Sequence, residues 1–184
     1  MLSSKRRIRK ESIARRTEFA AEIRDQLPPF IECSMQNRTY RYFGGKPLYG
    51  FGYGLSYSTS EYSNLKLSSP QLNAGDDLTV EADVRDAAGP AGEEAVELCL
   101  EFPSVPGAPL RALRGFQWLH LAPGETQHVT YALKARYLSM VNDKGEHVVA
   151  PGEYNVFLGG AQPSEISASA RAKLEITGGF KLPR

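Results

Sequence analysis

Residues Arg38 to Tyr57 read RTYRYFGGKPLYGFGYGLSY, the densest run of rings and glycines in the chain. Tyr40, Tyr42, Phe43, Tyr49, Phe51, Tyr53 and Tyr57 place seven aromatic side chains in one window, and Gly44, Gly45, Gly50, Gly52 and Gly54 interleave with them. A helix across this span is disfavoured, because each glycine costs about 1 kcal/mol in a helix interior. A regular strand tolerates so many glycines no better. What remains is an irregular, ordered segment whose backbone takes positive φ or passes close to another surface. Each ring carries a large apolar surface that must be covered, by this chain or by a partner.

The 184 residues leave room for one domain with its own core, plus a tail. The net charge of +1 hides an asymmetry. Residues 1–26 hold eight Lys/Arg against four Asp/Glu, whereas the remainder holds fourteen against seventeen. The basic excess is thus confined to the N-terminus, which argues against a nucleic-acid partner for the main domain. Cys33 and Cys99 are the only cysteines. They supply neither a disulfide framework nor a zinc site and are expected as free thiols. No apolar run approaches the roughly 20 residues of a membrane span, so no membrane association is expected. Basic residues open the chain with no apolar stretch after them, so no secretory leader is read and the default expectation is cytoplasmic.

Four segments follow from the patterning. Residues 1–26 are expected as a basic helix or tail, with Ser3 or Ser4 able to cap it. Pro28 and Pro29 end it, and residues 27–57 form a long strap. Residues 58–177 read as strands throughout. Asn64–Leu67 is a short candidate. Leu78, Val80, Ala82 and Val84 alternate with polar residues, as a half-buried antiparallel strand requires. Asp86 to Gly92 reads as a turn. Val96, Leu98, Leu100 and Phe102 then alternate inward, which puts Cys99 on the outer face between Glu97 and Glu101. In Leu113–Leu121, Phe116 is out of step with Leu119 and Leu121, and a bulge near Gly115 is expected to reconcile them. Val129, Tyr131 and Leu133, then Tyr154, Val156 and Leu158, mark further strands, and 168–176 the last. Residues 178–184 are expected to fray. About seven short strands with regular turns specify an all-β antiparallel sandwich of immunoglobulin or fibronectin type III kind, and Tyr154 suits its tyrosine corner.

The segments R-T-Y-R-Y-F (38–43), G-K-P-L-Y (45–49) and F-G-Y-G-L-S-Y (51–57) together resemble a hallmark of glycoside hydrolase family 3. In that family such a run joins the catalytic part to a C-terminal fibronectin type III-like domain. G-E-E-A-V-E-L (92–98), L-R-G-F (113–116), L-A-P-G-E (121–125) and V-A-P-G-E-Y (149–154) are similar to its later strands. The resemblance covers residue 27 to the end and points to β-xylosidases and β-glucosidases. It implies an accessory domain, present as a truncated or split product, that would dock on family 3 catalytic domains. Those enzymes are retaining glycosidases, which need two carboxyl groups about 5–5.5 Å apart across a sugar cleft. No position here matches the family's nucleophile motif or its Lys-His sugar pair, so no catalytic residue is expected and the chain by itself is read as no enzyme. The resembled family is often secreted or periplasmic.

Asp76-Asp77 and Glu93-Glu94 are expected as solvated charges at strand starts, and His120, His128 and His147 as ordinary strand or surface residues. No cofactor and no metal are expected. The candidate interdomain docking residues are Arg38, Tyr40, Arg41, Tyr42, Phe43, Tyr49, Phe51, Tyr53 and Tyr57. The first three rings, Tyr40, Tyr42 and Phe43, are expected to be less buried than Val80 or Leu98. An alternative reading is a free-standing carbohydrate-binding module, with polysaccharide as partner and Trp118, the single tryptophan, as a stacking platform.

Overall fold

The computed structural model of the chain describes residue 31, residues 37–163 and residues 169–183. The helix expected over 1–26, the first part of the strap and Cys33 lie outside the described residues.

Seven long strands build the fold: β1 (Thr59–Leu67), β3 (Leu78–Ala88), β4 (Gly92–Glu101), β5 (Arg111–Leu121), β6 (Thr126–Leu133), β9 (Gly152–Gly159) and β10 (Ser169–Thr177). Four short ones complete it: β2 (Gln71–Asn73), β7 (Met140–Val141), β8 (His147–Val149) and β11 (Phe180–Lys181). Two single helical turns also occur, α1 (Thr39–Tyr42) and α2 (Ala135–Leu138). One layer has the order β1-β3-β6, the other β2-β10-β9-β4-β5, and a small sheet β11-β8-β7 stands apart from both. All pairings in the two main layers are antiparallel except β2 with β10. This is the expected β-sandwich.

The period-two pattern fixes which side chains meet between the layers. Leu78, Val80, Ala82 and Val84 of β3, with Val129, Tyr131 and Leu133 of β6, face Val96, Leu98 and Leu100 of β4 and Tyr154, Val156 and Leu158 of β9. Leu174 and Ile176 of β10 extend the same cluster. Burying each of these side chains is worth roughly 1.5–3 kcal/mol. Polar groups tie the layers as well. The Tyr131 hydroxyl crosses the core and donates to the Val96 carbonyl at 2.8 Å. Gly115 makes room for that ring, since a Cβ there would lie 2.9 Å from it.

The structure differs from the sequence expectation at five places. β1 runs from Thr59 and pairs along β3 as far as Ala88, so Asp86–Ala88 are strand and the turn shrinks to Gly89–Ala91. Asp86 thereby continues the inward face and is buried. Glu94 is not a solvated charge: it is half-buried and accepts from Ser60 Oγ at 2.9 Å and from the Tyr62 hydroxyl, joining β1 to β4. Burial, and then this carboxylate, hold the Tyr62 phenol well above its usual range. The expected irregularity in β5 is present, with Arg114 as the extra residue opposite Leu98 and Cys99, but Phe116 stays outside. The C-terminus does not fray through residue 183. β11 pairs with β8, and Leu182 N–H donates to the His147 carbonyl at 2.9 Å. Finally, Cys99 sits at an outward position of β4 yet is only 2% exposed.

Tyr154 is the tyrosine corner. Its ring is fully buried against Phe102, edge to face at 5.7 Å between centroids, and its hydroxyl donates to the Ala150 carbonyl at 2.8 Å. Burial pushes the phenol up to about 12. Tyr154→Phe keeps the ring and leaves that carbonyl without its donor. We expect a loss of about 1 kcal/mol, read as a lower urea midpoint at unchanged m-value.

Candidate docking face

One row of side chains explains why Cys99 is buried. Leu113 of β5, Cys99 of β4 and Phe157 of β9 are direct cross-strand partners, so all three project from the outer face of the five-stranded sheet. Arg171 of β10 continues the row and lays its guanidinium over the Phe157 ring at 4.9 Å. The β1-β3-β6 layer covers the other face, so this apolar row needs a separate cover.

The strap supplies it. Asn37 and Thr39 take positive φ, 54° and 58°, and bend the chain into the single turn α1, closed by the Phe43 N–H on the Thr39 carbonyl at 3.0 Å. Two bonds pin α1 to the edge strand β5. Leu110 N–H donates to the Arg41 carbonyl at 2.7 Å, and Leu113 N–H to the Tyr40 hydroxyl at 3.3 Å. Tyr40 then stacks on Phe51, with ring centroids 4.3 Å apart. Phe51 is held past the end of β9: its N–H donates to Gln162 Oε1 at 3.2 Å, and its carbonyl accepts the Gln162 N–H at 2.7 Å. The ring pair therefore spans from β5 to the β9 side, across β4 and Cys99. Burial under it pushes the Cys99 thiol up to about 12, as an inert structural cysteine.

The strap's next residue explains its glycine. Gly52 has φ of 78°, and a Cβ there would lie 2.9 Å from Glu97 Oε1 and 3.0 Å from the Ala161 Cα. Only glycine offers both the conformation and the clearance. Glu97 consequently lies under the strap, with Oε2 buried and without a hydrogen-bond partner among the described residues. That burial raises its carboxyl above the usual glutamate range. Beyond Gly52 the Tyr53 N–H closes a turn on the Gly50 carbonyl at 3.1 Å, and the Tyr49 and Tyr53 rings lie 4.8 Å apart.

The candidate residues divide into two groups. Arg38, Tyr40, Arg41, Tyr42 and Phe43 are half-buried, unlike Val80 and Leu98, which are fully buried. Tyr49, Phe51, Tyr53 and Tyr57 are exposed, Tyr57 by 96%. Trp118 is also exposed, by 67%, and Phe116 beside it by 60%. Phe116 escaped the sequence reading because it was matched to Leu119 and Leu121. Its spacing of two and four from Trp118 and His120 was the available signal. Trp118 pairs with Ala95 and Phe116 with Glu97, so both rings share the outer face with the strap. A cavity of about 430 Å³ opens between Tyr40, Phe43, Pro47, Tyr49, Phe51 and Gln162.

The consecutive carboxylates singled out in the sequence have separate local partners. Glu93 and Glu94 are consecutive on β4 and so point to opposite faces, Glu93 to His120 Nδ1 at 2.8 Å and Glu94 to Tyr62. Asp76 accepts the Asn73 N–H at 3.1 Å within its own turn. His128 lies 2.7 Å from Asp83, and His147 lies 3.3 Å from the Ser139 hydroxyl. Among the described residues no three His, Cys, Asp or Glu side chains gather where they could hold a metal ion.

Comparison with known proteins gives a consistent picture. A family model described as a fibronectin type III-like domain matches residues 94–162. A β-xylosidase of Formosa agariphila is 33% identical over 128 residues, which are 68% of this chain and 18% of that protein. The periplasmic β-glucosidase of Salmonella typhimurium is 33% identical over 124 residues, 66% of this chain and 16% of its own length. Among solved structures, β-glucosidase 3B from Thermotoga neapolitana in complex with α-D-glucose superposes with a TM-score of 0.66 at 32% identity, over 79% of this chain and 19% of that one. The chain thus spans less than a fifth of the length of these relatives.

Two outcomes follow from the seated strap. In a Cys33→Ser background, Cys99 should resist thiol-specific labelling, and Tyr40→Ala with Phe51→Ala should make it reactive under native conditions; equal labelling of both proteins would remove the strap as its cover. Glu97 is raised by burial, so its contribution to strap seating is full below the ordinary glutamate range and is lost as pH rises through its raised pKa. Glu97→Gln should therefore raise the melting temperature at neutral pH and flatten its decline from mildly acid pH, as followed by differential scanning calorimetry.

Proposed function

Because the chain carries the fibronectin type III-like domain of glycoside hydrolase family 3, we propose that it is a non-catalytic accessory domain that docks, through its strap face, on catalytic domains of that family. One observation carries the proposal. Of the twelve large apolar side chains exposed among residues 37–183, nine belong to the strap, to Leu110 at the strap's β5 anchor, or to the outward positions of β5. An apolar surface so concentrated on one side marks an interaction site. The opposite layer exposes none of comparable size.

The mechanism is bracing rather than chemistry. The sandwich core fixes β4, β5 and β9. These strands seat the strap, and the strap presents Tyr49, Tyr53 and Tyr57 outward together with Phe116 and Trp118. Large rings with few rotamers make strong anchors at a protein contact. The relatives are a β-xylosidase and β-glucosidases matched over a small part of their length, which supports an accessory role. Sugar stacking on Trp118 is the less supported alternative, because the same ring lies within the apolar face.

The test is association with a sandwich-deleted form of the Thermotoga neapolitana β-glucosidase, followed by titration calorimetry. Tyr53→Ala and Trp118→Ala should each weaken binding by about 1–2 kcal/mol, the range for truncating an interface ring. The pure chain should not hydrolyse nitrophenyl glucoside or xyloside. Turnover that tracks the pure chain, or binding to the catalytic portion that neither substitution affects, would overturn the proposal.

A further inference from the structure

The docking face has an electrostatic corner that the apolar side chains do not explain. Arg38 is the extended residue that precedes α1 and Arg41 lies within it, on either side of Tyr40 in the chain. Arg111 and Arg114 come from the start of β5, to which α1 is bonded. All four have a buried Nε with no hydrogen-bond partner among the described residues. Among the described residues only Arg111 meets a carboxylate, and Glu101 is 3.9 Å away, beyond hydrogen-bond reach. Arg114 donates through Nη2 to the Ser139 carbonyl at 2.7 Å and lies 5.0 Å over the Phe102 ring. Arg41 lies 5.7 Å over the Tyr42 ring. Burial, and then the charge of Arg41, press the Arg114 guanidinium down to about 10.

Elsewhere several charges are matched. Lys173 meets Glu153 at 3.0 Å, His128 meets Asp83 at 2.7 Å, and Lys181 meets Glu146. The sequence beyond residue 26 holds three more acidic than basic residues, yet among the described residues no carboxylate comes within hydrogen-bond reach of these four guanidinium groups. Crowded guanidinium groups in half-buried surroundings are stabilised by a carboxylate, which the guanidinium fork binds through two parallel hydrogen bonds. The cavity of about 430 Å³ beside Tyr40 adjoins the same corner.

We propose that the strap recognises an acidic, apolar protein segment on the catalytic-domain surface: a carboxylate seated at Arg38 and Arg41, with a neighbouring apolar side chain entering the cavity lined by Tyr40, Phe43 and Phe51. This rests on the docking reading above and names the chemistry of its partner. The arginines select the partner's charge, and the cavity selects the side chain next to it.

The experiment compares binding of the sandwich-deleted Thermotoga neapolitana enzyme to wild type, to R38Q/R41Q, and to Tyr49→Ala, at low and high salt. Neither arginine side chain contributes to the sandwich core, and thermal melts check that R38Q/R41Q folds. The double variant should bind at least about tenfold more weakly at low salt and lose most of the salt dependence. Restoring charge without the fork, in R38K/R41K, should recover only part of the affinity. If Tyr49→Ala weakens binding while R38Q/R41Q leaves affinity and salt response unchanged, the arginines only cover rings: this inference fails and the docking reading stands. Absence of wild-type binding overturns both. A second arm uses the peptide acetyl-Leu-Asp-Leu-Glu-amide and its Asn/Gln counterpart, followed by the arginine Nε–Hε NMR signals. The acidic peptide should move the Arg38 and Arg41 signals and the neutral one should not. Equal responses, or none, would overturn the proposed carboxylate seat.

Discussion

A sheet has two faces, and the sandwich covers only one face of each sheet. The outer face of the five-stranded layer carries one apolar row, Leu113–Cys99–Phe157, between rows of polar side chains such as Arg111, Glu101 and Asn155. Left open, that row would expose apolar surface in the middle of the sheet. The stacked rings of Tyr40 and Phe51, tied at one end to β5 and at the other to Gln162, lie across it. The strap's path, the glycine at 52 and the inert state of Cys99 all depend on that cover. Each is a consequence of placing two large rings on a narrow row with hydrogen bonds at both ends.

The task is small compared with the means. Two rings suffice for one row, but the strap carries seven. Tyr49, Tyr53 and Tyr57 are therefore surplus to the sandwich itself, and like Phe116 and Trp118 they are exposed. The sequence reading left open which of the seven rings this chain covers and which a partner would. The structure divides them: Tyr40 and Phe51 serve this chain by covering its outer row, while Tyr49, Tyr53 and Tyr57 remain outward and support the proposed docking.

Period-two alternation made the strands legible, because one inward face against one outward face is a local property of each segment. Leu78 to Val84, Val129 to Leu133 and Tyr154 to Leu158 lie inward as their spacing requires. The A-P-G-E-Y corner was legible for the same reason, since the bond from Tyr154 spans four residues. The misses share one cause, which is contact between residues distant in sequence. Cys99 reads as exposed until the strap some fifty positions earlier is laid over it. Glu94 reads as solvated until Ser60 and Tyr62 arrive from the other layer. Residues 180–182 read as a loose end until β8 offers them an edge. Phe116 was a different kind of miss: the bulge at Arg114 was expected, but it precedes Phe116 and so leaves its parity with Trp118 intact.

Among the described residues, buried polar atoms without a hydrogen-bond partner occur on Asp86 of β3 and around the strap and its seat. Glu97 is buried under Gly52 with an unpartnered oxygen, and four guanidinium groups around α1 and β5 have buried, unpartnered Nε atoms. A buried polar atom without a partner costs on the order of 1–3 kcal/mol. Much of that burden falls on the strap and its seat and part on Asp86 of the other layer, whereas the charges named on β10, β6 and β11 are paired. The guanidinium groups beside the surplus rings support the proposed contact, because a partner can bring carboxylates to them and cover the open rings in one step. The strap is thus held firmly enough at its two ends to protect Cys99, and left incomplete between and beside them, where the proposed partner would finish it.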